Sequence, residues 1–102
     1  MVKIEHIDGE DKGKIMLYAL STCVWCKKTK QLLNDTGVKY DFVFVDLLDG
    51  SDKDETMDEI KKHNPRCSFP TLVIDDNKCI VGFKEDDIKE ALNLWVMSQK
   101  KR

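Results

Sequence analysis

Two cysteines separated by two residues, Cys23 and Cys26, are the residues of this chain best suited to chemistry. They follow the apolar run 15–20 and precede a segment of helix-forming residues, which places Cys23 at a turn between a predicted strand and a predicted helix. At a helix N-terminus, unpaired backbone N–H groups and the helix dipole favour a thiolate, the form of cysteine that attacks disulfides. Positions i and i+3 share one helix face, so the two sulfurs can close a small disulfide. The pattern predicts a dithiol–disulfide redox site.

Composition and charge restrict the class of protein. The 102 residues suffice for one domain, 1–102, in which residues 1–13 form an N-terminal arm or an extra strand. Hydrophobic residues make up 41% and charged residues 35% of the sequence, which indicates a globular rather than a disordered chain. A net charge of −2 does not favour nucleic acid as a partner. No apolar run reaches the roughly 18 residues that a membrane span needs.

The N-terminal residues lack the apolar segment of a secretory signal peptide, which predicts a cytoplasmic protein. In the reducing cytosol, cysteines serve more often in catalysis or metal binding than in structural disulfides. The four cysteines of the chain are therefore interpreted as catalytic or metal-binding candidates rather than as a structural framework.

Hydrophobic periodicity and turn residues predict the element order (β)βαβαββα. The predicted elements are an optional strand at 2–7, a strand at 14–20, a helix at 24–35, a strand at 40–48, a helix from Ser51 or Asp52 to about His63, strands at 72–74 and 79–81, and a helix from 85. Gly37 is expected to end the first helix in the left-handed conformation. The last helix closes with the basic residues 100–102, and its apolar face comprises Ile88, Ala91, Leu92, Trp95 and Val96.

These elements predict an α/β fold with a four-stranded mixed sheet flanked by helices. Two parallel strands joined by a right-handed helical crossover, followed by a hairpin, would form that sheet. The optional strand at 2–7 is expected to pair with the strand at 14–20, and a loose arm is the alternative. Cys23 then lies beyond the carboxyl end of the first sheet strand, at a switch in strand order where ligands commonly bind.

Three motifs at their separations resemble those of a known family. They are the strand–Cys-x-x-Cys–helix unit, the Ser-Phe-Pro-Thr at 68–71 that opens a hairpin, and the Val-Gly-Phe at 81–83 before an acidic helix start. Over residues 14–96 this combination resembles the glutaredoxin group of the thioredoxin superfamily. The resemblance implies the thioredoxin fold and a thiol–disulfide oxidoreductase that reduces protein disulfides.

The resemblance also implies a role for each cysteine of the pair. Cys23 would be the nucleophile, and Lys27 and Lys28 would support its thiolate from one turn further on. Cys26 would resolve the mixed disulfide that Cys23 forms with a substrate. The only redox group is then the Cys23–Cys26 disulfide, so that neither a cofactor nor a metal is expected.

Five further residues are expected to contact the substrate. Pro70 matches the cis-proline that lies beside the active-site disulfide of the family, and the backbone of Phe69 would pair with an extended substrate as an added strand. Gly82 and Phe83 occupy the segment that receives glutathione in many members. Trp25 belongs to a Val-Trp pair where the family commonly has Pro-Tyr. Two uses of Trp25 remain open: a flat surface for a partner protein, or a cover for the adjacent core.

The chain departs from the family pattern for glutathione recognition. Leu20 stands where the family often has a lysine, three residues before the first cysteine, and Phe83 stands where it often has a second glycine. The acids at 85–87 also weigh against a site for the carboxylate of glutathione. We therefore expect electrons from a thioredoxin-reductase-type or similar reductase, and glutathione as a weak ligand only.

The same residues leave three other functions open. A glutathione-dependent glutaredoxin is one alternative, and an iron–sulfur carrier using Cys23 in a dimer with glutathione is another. A zinc-binding module is the third, with a candidate ligand set of Cys23, Cys26, His63 and Cys67. The expected partners are an upstream reductase and disulfide-containing proteins, and the chain is expected to be a monomer.

The remaining cysteines and acids have simple interpretations. Cys67 is interpreted as a small buried or semi-exposed thiol, and the alternative is a role near the dithiol in regulation or in a second disulfide. Cys79 is expected to pack in its hairpin strand. The acidic stretch 46–59 is interpreted as a solvated helix face, with the steering of a basic partner as the alternative.

Overall fold

The computed structural model describes residues 4–76 and 78–92. The elements in chain order are β1 (Glu5–Ile7), β2 (Ile15–Ala19), α1 (Val24–Thr36), β3 (Tyr40–Phe44), α2 (Gly50–His63), β4 (Thr71–Ile74), β5 (Lys78–Val81) and α3 (Glu85–Ala91). This order confirms the predicted one, including the extra N-terminal strand. The predicted apolar positions Trp95 and Val96 and the basic residues 100–102 lie outside the described residues. None of the described helices is long and apolar enough to cross a membrane.

The five strands form one mixed sheet in the order β1-β3-β2-β4-β5. β2 runs parallel to β3 and antiparallel to β4, and Leu17 pairs with Phe42 on one side and with Leu72 on the other. β2 therefore lies in the middle of the sheet, and its carboxyl end, which leads to Cys23, is held by strands on both sides.

Successive side chains of β2 pack into two different cores, because alternate residues of a strand face opposite sides of the sheet. Leu17 is buried with Leu33 of α1 and Ile88 of α3, whereas Tyr18 is buried with Ile60 of α2. Burial of one such apolar side chain contributes roughly 1.5–3 kcal/mol. Helices on both faces thus fix β2, as the continuously apolar sequence of this strand predicts.

The extra strand exists, but its predicted partner was wrong. β1 pairs antiparallel with β3, with Glu5 opposite Phe42 and Ile7 opposite Tyr40, instead of pairing with the strand at 14–20. The physical reason is that both edges of β2 are already occupied by β3 and β4. β1 instead covers the outer edge of β3, which would otherwise present unpaired backbone groups.

The structure differs from the prediction at two boundaries, the end of β3 and the start of α2. The strand predicted at 40–48 ends at Phe44, and Val45–Leu47 form a single 3₁₀ turn. α2 begins at Gly50 with Asp49 as its N-cap residue, before the predicted caps Ser51 and Asp52. Asp46 consequently lies outside α2 and is not part of an acidic helix face.

The end of α1 follows the predicted pattern. Gly37 adopts a left-handed φ of 74°, and its N–H donates to the Asn34 carbonyl at 3.2 Å. Glycine accepts this conformation without a clash at Cβ, which is why it commonly ends helices.

Gly9 allows the N-terminal segment to pack against the connection between α1 and β3. A Cβ added at Gly9 would lie 2.4 Å from the Gly37 oxygen, beside the hydrogen bond of 2.8 Å that the Glu10 N–H donates to the same oxygen. We expect Gly9→Ala to lower the free energy of unfolding in urea by about 1–3 kcal/mol. Asp8→Ala, at an exposed neighbour, is the control and should change it by less than about 0.5 kcal/mol. Equal stabilities of the two variants would contradict this close approach.

Candidate redox site

A tight turn at the end of β2 presents Cys23 as the N-cap residue of α1. The backbone of Cys23 is extended, with φ −86° and ψ 120°, and its N–H donates to the Leu20 carbonyl at 3.2 Å. The Cys23 carbonyl accepts from the Lys27 N–H at 3.1 Å, which begins the helix. The side chain is partly exposed. Cys23 is thus partly accessible to solvent at the N-terminus of a 13-residue helix, and it also packs against the first core.

Cys26 lies one turn into α1 and is only 1% exposed. Its backbone N–H donates to the Cys23 sulfur at 3.1 Å, so the first sulfur occupies the position in which an N-cap side chain accepts a hydrogen bond. Burial, together with a hydrogen bond to the Cys23 side chain, raises the pKa of the Cys26 thiol to about 12. All four cysteines are free thiols in this structure. The two cysteines therefore differ in access: Cys23 is partly exposed, and Cys26 is buried.

A groove whose lining includes Trp25, which stands between the two cysteines in the sequence, is formed by the five residues that are predicted to contact the substrate. The groove has a volume of about 290 Å³, and its lining consists of Trp25, Phe69, Pro70, Gly82 and Phe83. The structure thus brings together residues from α1, from the segment before β4 and from the segment after β5. Their role in binding stays a prediction.

The floor of the groove is ordered by backbone contacts. The Phe69–Pro70 peptide bond is cis, as the resemblance implied. The Pro70 carbonyl accepts a hydrogen bond of 2.9 Å from the Gly82 N–H, and Gly82 has a left-handed φ of 86° that few side chains tolerate. Phe69 packs against both cores. The two segments that flank the β4–β5 hairpin are therefore tied together at the groove.

The structure excludes one of the two uses left open for Trp25. The side chain is 55% exposed, and its neighbour Val24 is 60% exposed, so Trp25 is not a cover for the core. Its ring stacks on that of Phe83, with centroids 6.2 Å apart and an interplanar angle of 22°. The Lys28 ammonium lies 5.1 Å from the Trp25 centroid, a cation–π distance. Lys28 thus engages the aromatic wall of the groove.

The structure also locates the residues that depart from the family pattern for glutathione recognition. Leu20 is half-buried and packs at the second core, as does Cys67. Glu85, Asp86 and Asp87 are exposed and line a separate hollow of about 390 Å³ together with Phe83 and Lys84. This hollow adjoins the aromatic groove through Phe83, and its lining contains more acids than bases.

The remaining thiols have no role that their surroundings define. Cys67 has a positive φ of 51° and is partly exposed. Cys79 is partly buried in β5, and burial raises the pKa of its thiol. Among residues 4–76 and 78–92, no three histidine, cysteine or acidic side chains are grouped so that they could hold a metal ion. The zinc set considered from the sequence is therefore not assembled.

One contact at the site was missed by sequence reasoning. Asp46, which was assigned to a solvated acidic face, accepts two hydrogen bonds from Ser21, in the turn that precedes Cys23. The hydrogen bond from the Ser21 side chain lowers the pKa of the Asp46 carboxyl. The available signal was topological: the carboxyl ends of neighbouring parallel strands meet at one end of a sheet, so a polar residue just after β3 can reach the turn after β2.

Known proteins share both the sequence and the fold of this chain. Residues 15–80 match the glutaredoxin family model. The crystal structure of the glutaredoxin from Methanosarcina mazei Go1 is 53% identical with a TM-score of 0.83, and the match covers 88% of this chain and 87% of that one. Methanosarcina acetivorans methanoredoxin is 56% identical with a TM-score of 0.81, covering 82% and 88%.

A further relative is a small glutaredoxin-like protein. A glutaredoxin-like 8.6 kDa protein in the rubredoxin operon of Clostridium pasteurianum is 36% identical over 78 residues, which span 76% of this chain and 96% of the relative. The predicted thioredoxin fold and the predicted oxidoreductase activity are thereby confirmed at the level of the family. The chain belongs to the glutaredoxin family, whose members are thiol–disulfide oxidoreductases.

Proposed function

We propose that this chain reduces protein disulfides with Cys23 as the nucleophile and Cys26 as the resolving thiol. The single observation that carries the proposal is the difference in access between the two sulfurs. Cys23 is partly exposed at the N-terminus of α1, whereas Cys26 is 1% exposed and donates its backbone N–H to the Cys23 sulfur. An external disulfide can therefore reach Cys23 more readily than the buried Cys26, and Cys26 is held next to the Cys23 sulfur.

The reaction proceeds in two exchanges. The Cys23 thiolate attacks one sulfur of the substrate disulfide, the S–S bond breaks, and the other substrate sulfur leaves as a thiolate that takes up a proton. The resulting mixed disulfide is then attacked at the Cys23 sulfur by Cys26, which loses its proton as it attacks. The second substrate sulfur leaves as a thiol. The substrate gains two electrons and two protons, and the chain ends with a Cys23–Cys26 disulfide.

The groove suits an extended protein segment. The backbone of Phe69 lies just before the start of β4, where a substrate strand could add main-chain hydrogen bonds. The exposed Val24 and Trp25 offer apolar area next to the reactive sulfur. An aromatic surface of this kind is typical of protein interfaces. We take the substrate to be a protein disulfide, and the chain to act as a cytoplasmic monomer without a resident cofactor.

The electrons that regenerate the dithiol are proposed to come from a thioredoxin-reductase-type enzyme or a similar reductase rather than from glutathione. Two features support this choice. Leu20 is apolar and packed at the second core, so it offers no cation to a carboxylate. Phe83 fills one end of the groove through its stack on Trp25, and the neighbouring hollow is lined by Glu85 and other acids, which repel the carboxylates of glutathione.

We expect glutathione with glutathione reductase to recycle the oxidised protein at least about tenfold more slowly than a thioredoxin-reductase-type enzyme does. A single contact worth 1.4 kcal/mol would account for that factor. The measurement is NADPH oxidation with insulin as substrate and equal amounts of either reductase. Phe83→Gly should raise the rate with glutathione by opening the groove, and Phe83→Leu, which keeps the bulk, is its matched control. Efficient reduction of a small glutathione mixed disulfide by the native chain would contradict the proposed donor.

A further inference from the structure

The turn that carries Cys23 is held from outside by one carboxylate. Asp46 Oδ1 accepts a hydrogen bond of 2.8 Å from the Ser21 backbone N–H, and Asp46 Oδ2 accepts one of 2.6 Å from the Ser21 hydroxyl. Both oxygens of the carboxylate are therefore engaged by the same residue. Hydrogen bonds to a charged acceptor of this kind are stronger than those between neutral groups.

The contact between Asp46 and Ser21 matters because Ser21 belongs to the turn that leads to Cys23. Ser21 lies inside the turn that is closed by the hydrogen bond between the Cys23 N–H and the Leu20 carbonyl. β2 ends at Ala19 and α1 begins at Val24. The turn therefore connects a strand fixed on both faces with a helix whose N-terminus must point at the reactive sulfur, and a rotation of this short turn would move that sulfur.

Asp46 is suitably placed to prevent such a rotation. It follows the last residue of β3, Phe44, by two positions, and Phe44 lies opposite Ala19 in the parallel pair of strands. The carboxylate thus reaches the turn from a neighbouring strand end that is itself held in the sheet. The carboxylate accepts hydrogen bonds from both the backbone N–H and the hydroxyl of Ser21. It therefore restrains both the position and the orientation of Ser21.

We propose that Asp46 is a positioning residue for thiol–disulfide exchange, which acts by holding Ser21 and thereby orienting the turn that presents the Cys23 sulfur to a disulfide. This inference rests on the proposed role of Cys23 as the nucleophile. Asp46 neither touches the substrate nor exchanges a proton in this proposal. Its effect is on how often the sulfur of the folded protein stands in a reactive orientation.

The test measures the second-order rate constant with which the reduced protein reacts with insulin disulfides, together with the free energy of unfolding in urea. Asp46→Ala should lower the rate constant about tenfold, which corresponds to a loss of 1.4 kcal/mol. Ser21→Ala removes only the hydroxyl donor and should lower it about threefold, in line with a weaker single bond. Because both variants remove parts of one contact, Asp46→Ala combined with Ser21→Ala should react no more slowly than Asp46→Ala alone.

Two controls separate positioning from general effects on the fold. Ser21→Thr keeps the hydroxyl donor and should retain the rate of the parent. Asp49→Ala removes a nearby acid whose side chain makes no capping hydrogen bond, and it should also retain that rate. If Asp46→Ala fails to fold, the comparison of Ser21→Ala with Ser21→Thr carries the test by itself.

Three results would overturn the inference: a rate for Asp46→Ala within about twofold of the parent, losses that multiply in the double variant, or equal rates for Ser21→Ala and Ser21→Thr. Cys23→Ser is measured in parallel. An inactive Cys23→Ser together with a fully active Asp46→Ala refutes the positioning role alone. An active Cys23→Ser refutes the proposed function itself.

Discussion

Cys23→Ser is expected to lower the reduction of insulin disulfides to the background rate. The serine hydroxyl remains protonated at neutral pH and does not attack a disulfide sulfur, which requires a thiolate. Serine is also a favourable N-cap residue, and its oxygen can accept the Cys26 N–H that now bonds to the sulfur. The variant should therefore keep α1 and the free energy of unfolding while losing the reaction.

The matched controls are the two cysteines outside the pair. Cys67→Ser and Cys79→Ser should each retain most of the activity, because the proposed exchange uses neither thiol. A strong loss in Cys67→Ser would instead indicate that this partly exposed thiol takes part in the reaction. Full activity of Cys23→Ser would refute the mechanism.

Cys26→Ser is expected to stop the reaction after its first step and to trap the substrate. Cys23 can still attack an external disulfide, but the neighbouring thiol that would break the resulting mixed disulfide is missing. The trapped species should accumulate in stoichiometric amount and should be visible by mass spectrometry as the sum of the two masses. Dithiothreitol should release it.

Alkylation of the reduced protein, together with the trapping experiment, tests the order in which the two sulfurs act. The pKa of the Cys26 thiol is raised to about 12, mainly by burial, so at pH 7 this thiol is protonated as well as shielded. We expect limiting iodoacetamide at pH 7 to alkylate Cys23 and to leave Cys26 unmodified. Preferential alkylation of Cys26, or a trapped disulfide in Cys23→Ser instead of Cys26→Ser, would reverse the assigned roles.

Much of the fold could be predicted from local sequence patterns. The continuous apolar run before Cys23 indicated a strand buried on both faces, and β2 is one. Gly37 indicated the end of α1 because a left-handed residue is needed there. The boundaries near Val45 and Asp49 were less predictable, because an apolar residue in a 3₁₀ turn and one in a strand give the same short pattern.

The sequence by itself determined the dithiol, because the spacing of Cys23 and Cys26 and the strand–helix change around them are local. The family motifs at 68–71 and 81–83 also indicated which distant segments belong to the site. The tertiary structure alone decided how those segments meet: the stack of Trp25 on Phe83, and the contact of Asp46 with Ser21 across 25 positions. Contacts of this kind depend on strand order and register, which place side chains together irrespective of their separation along the chain.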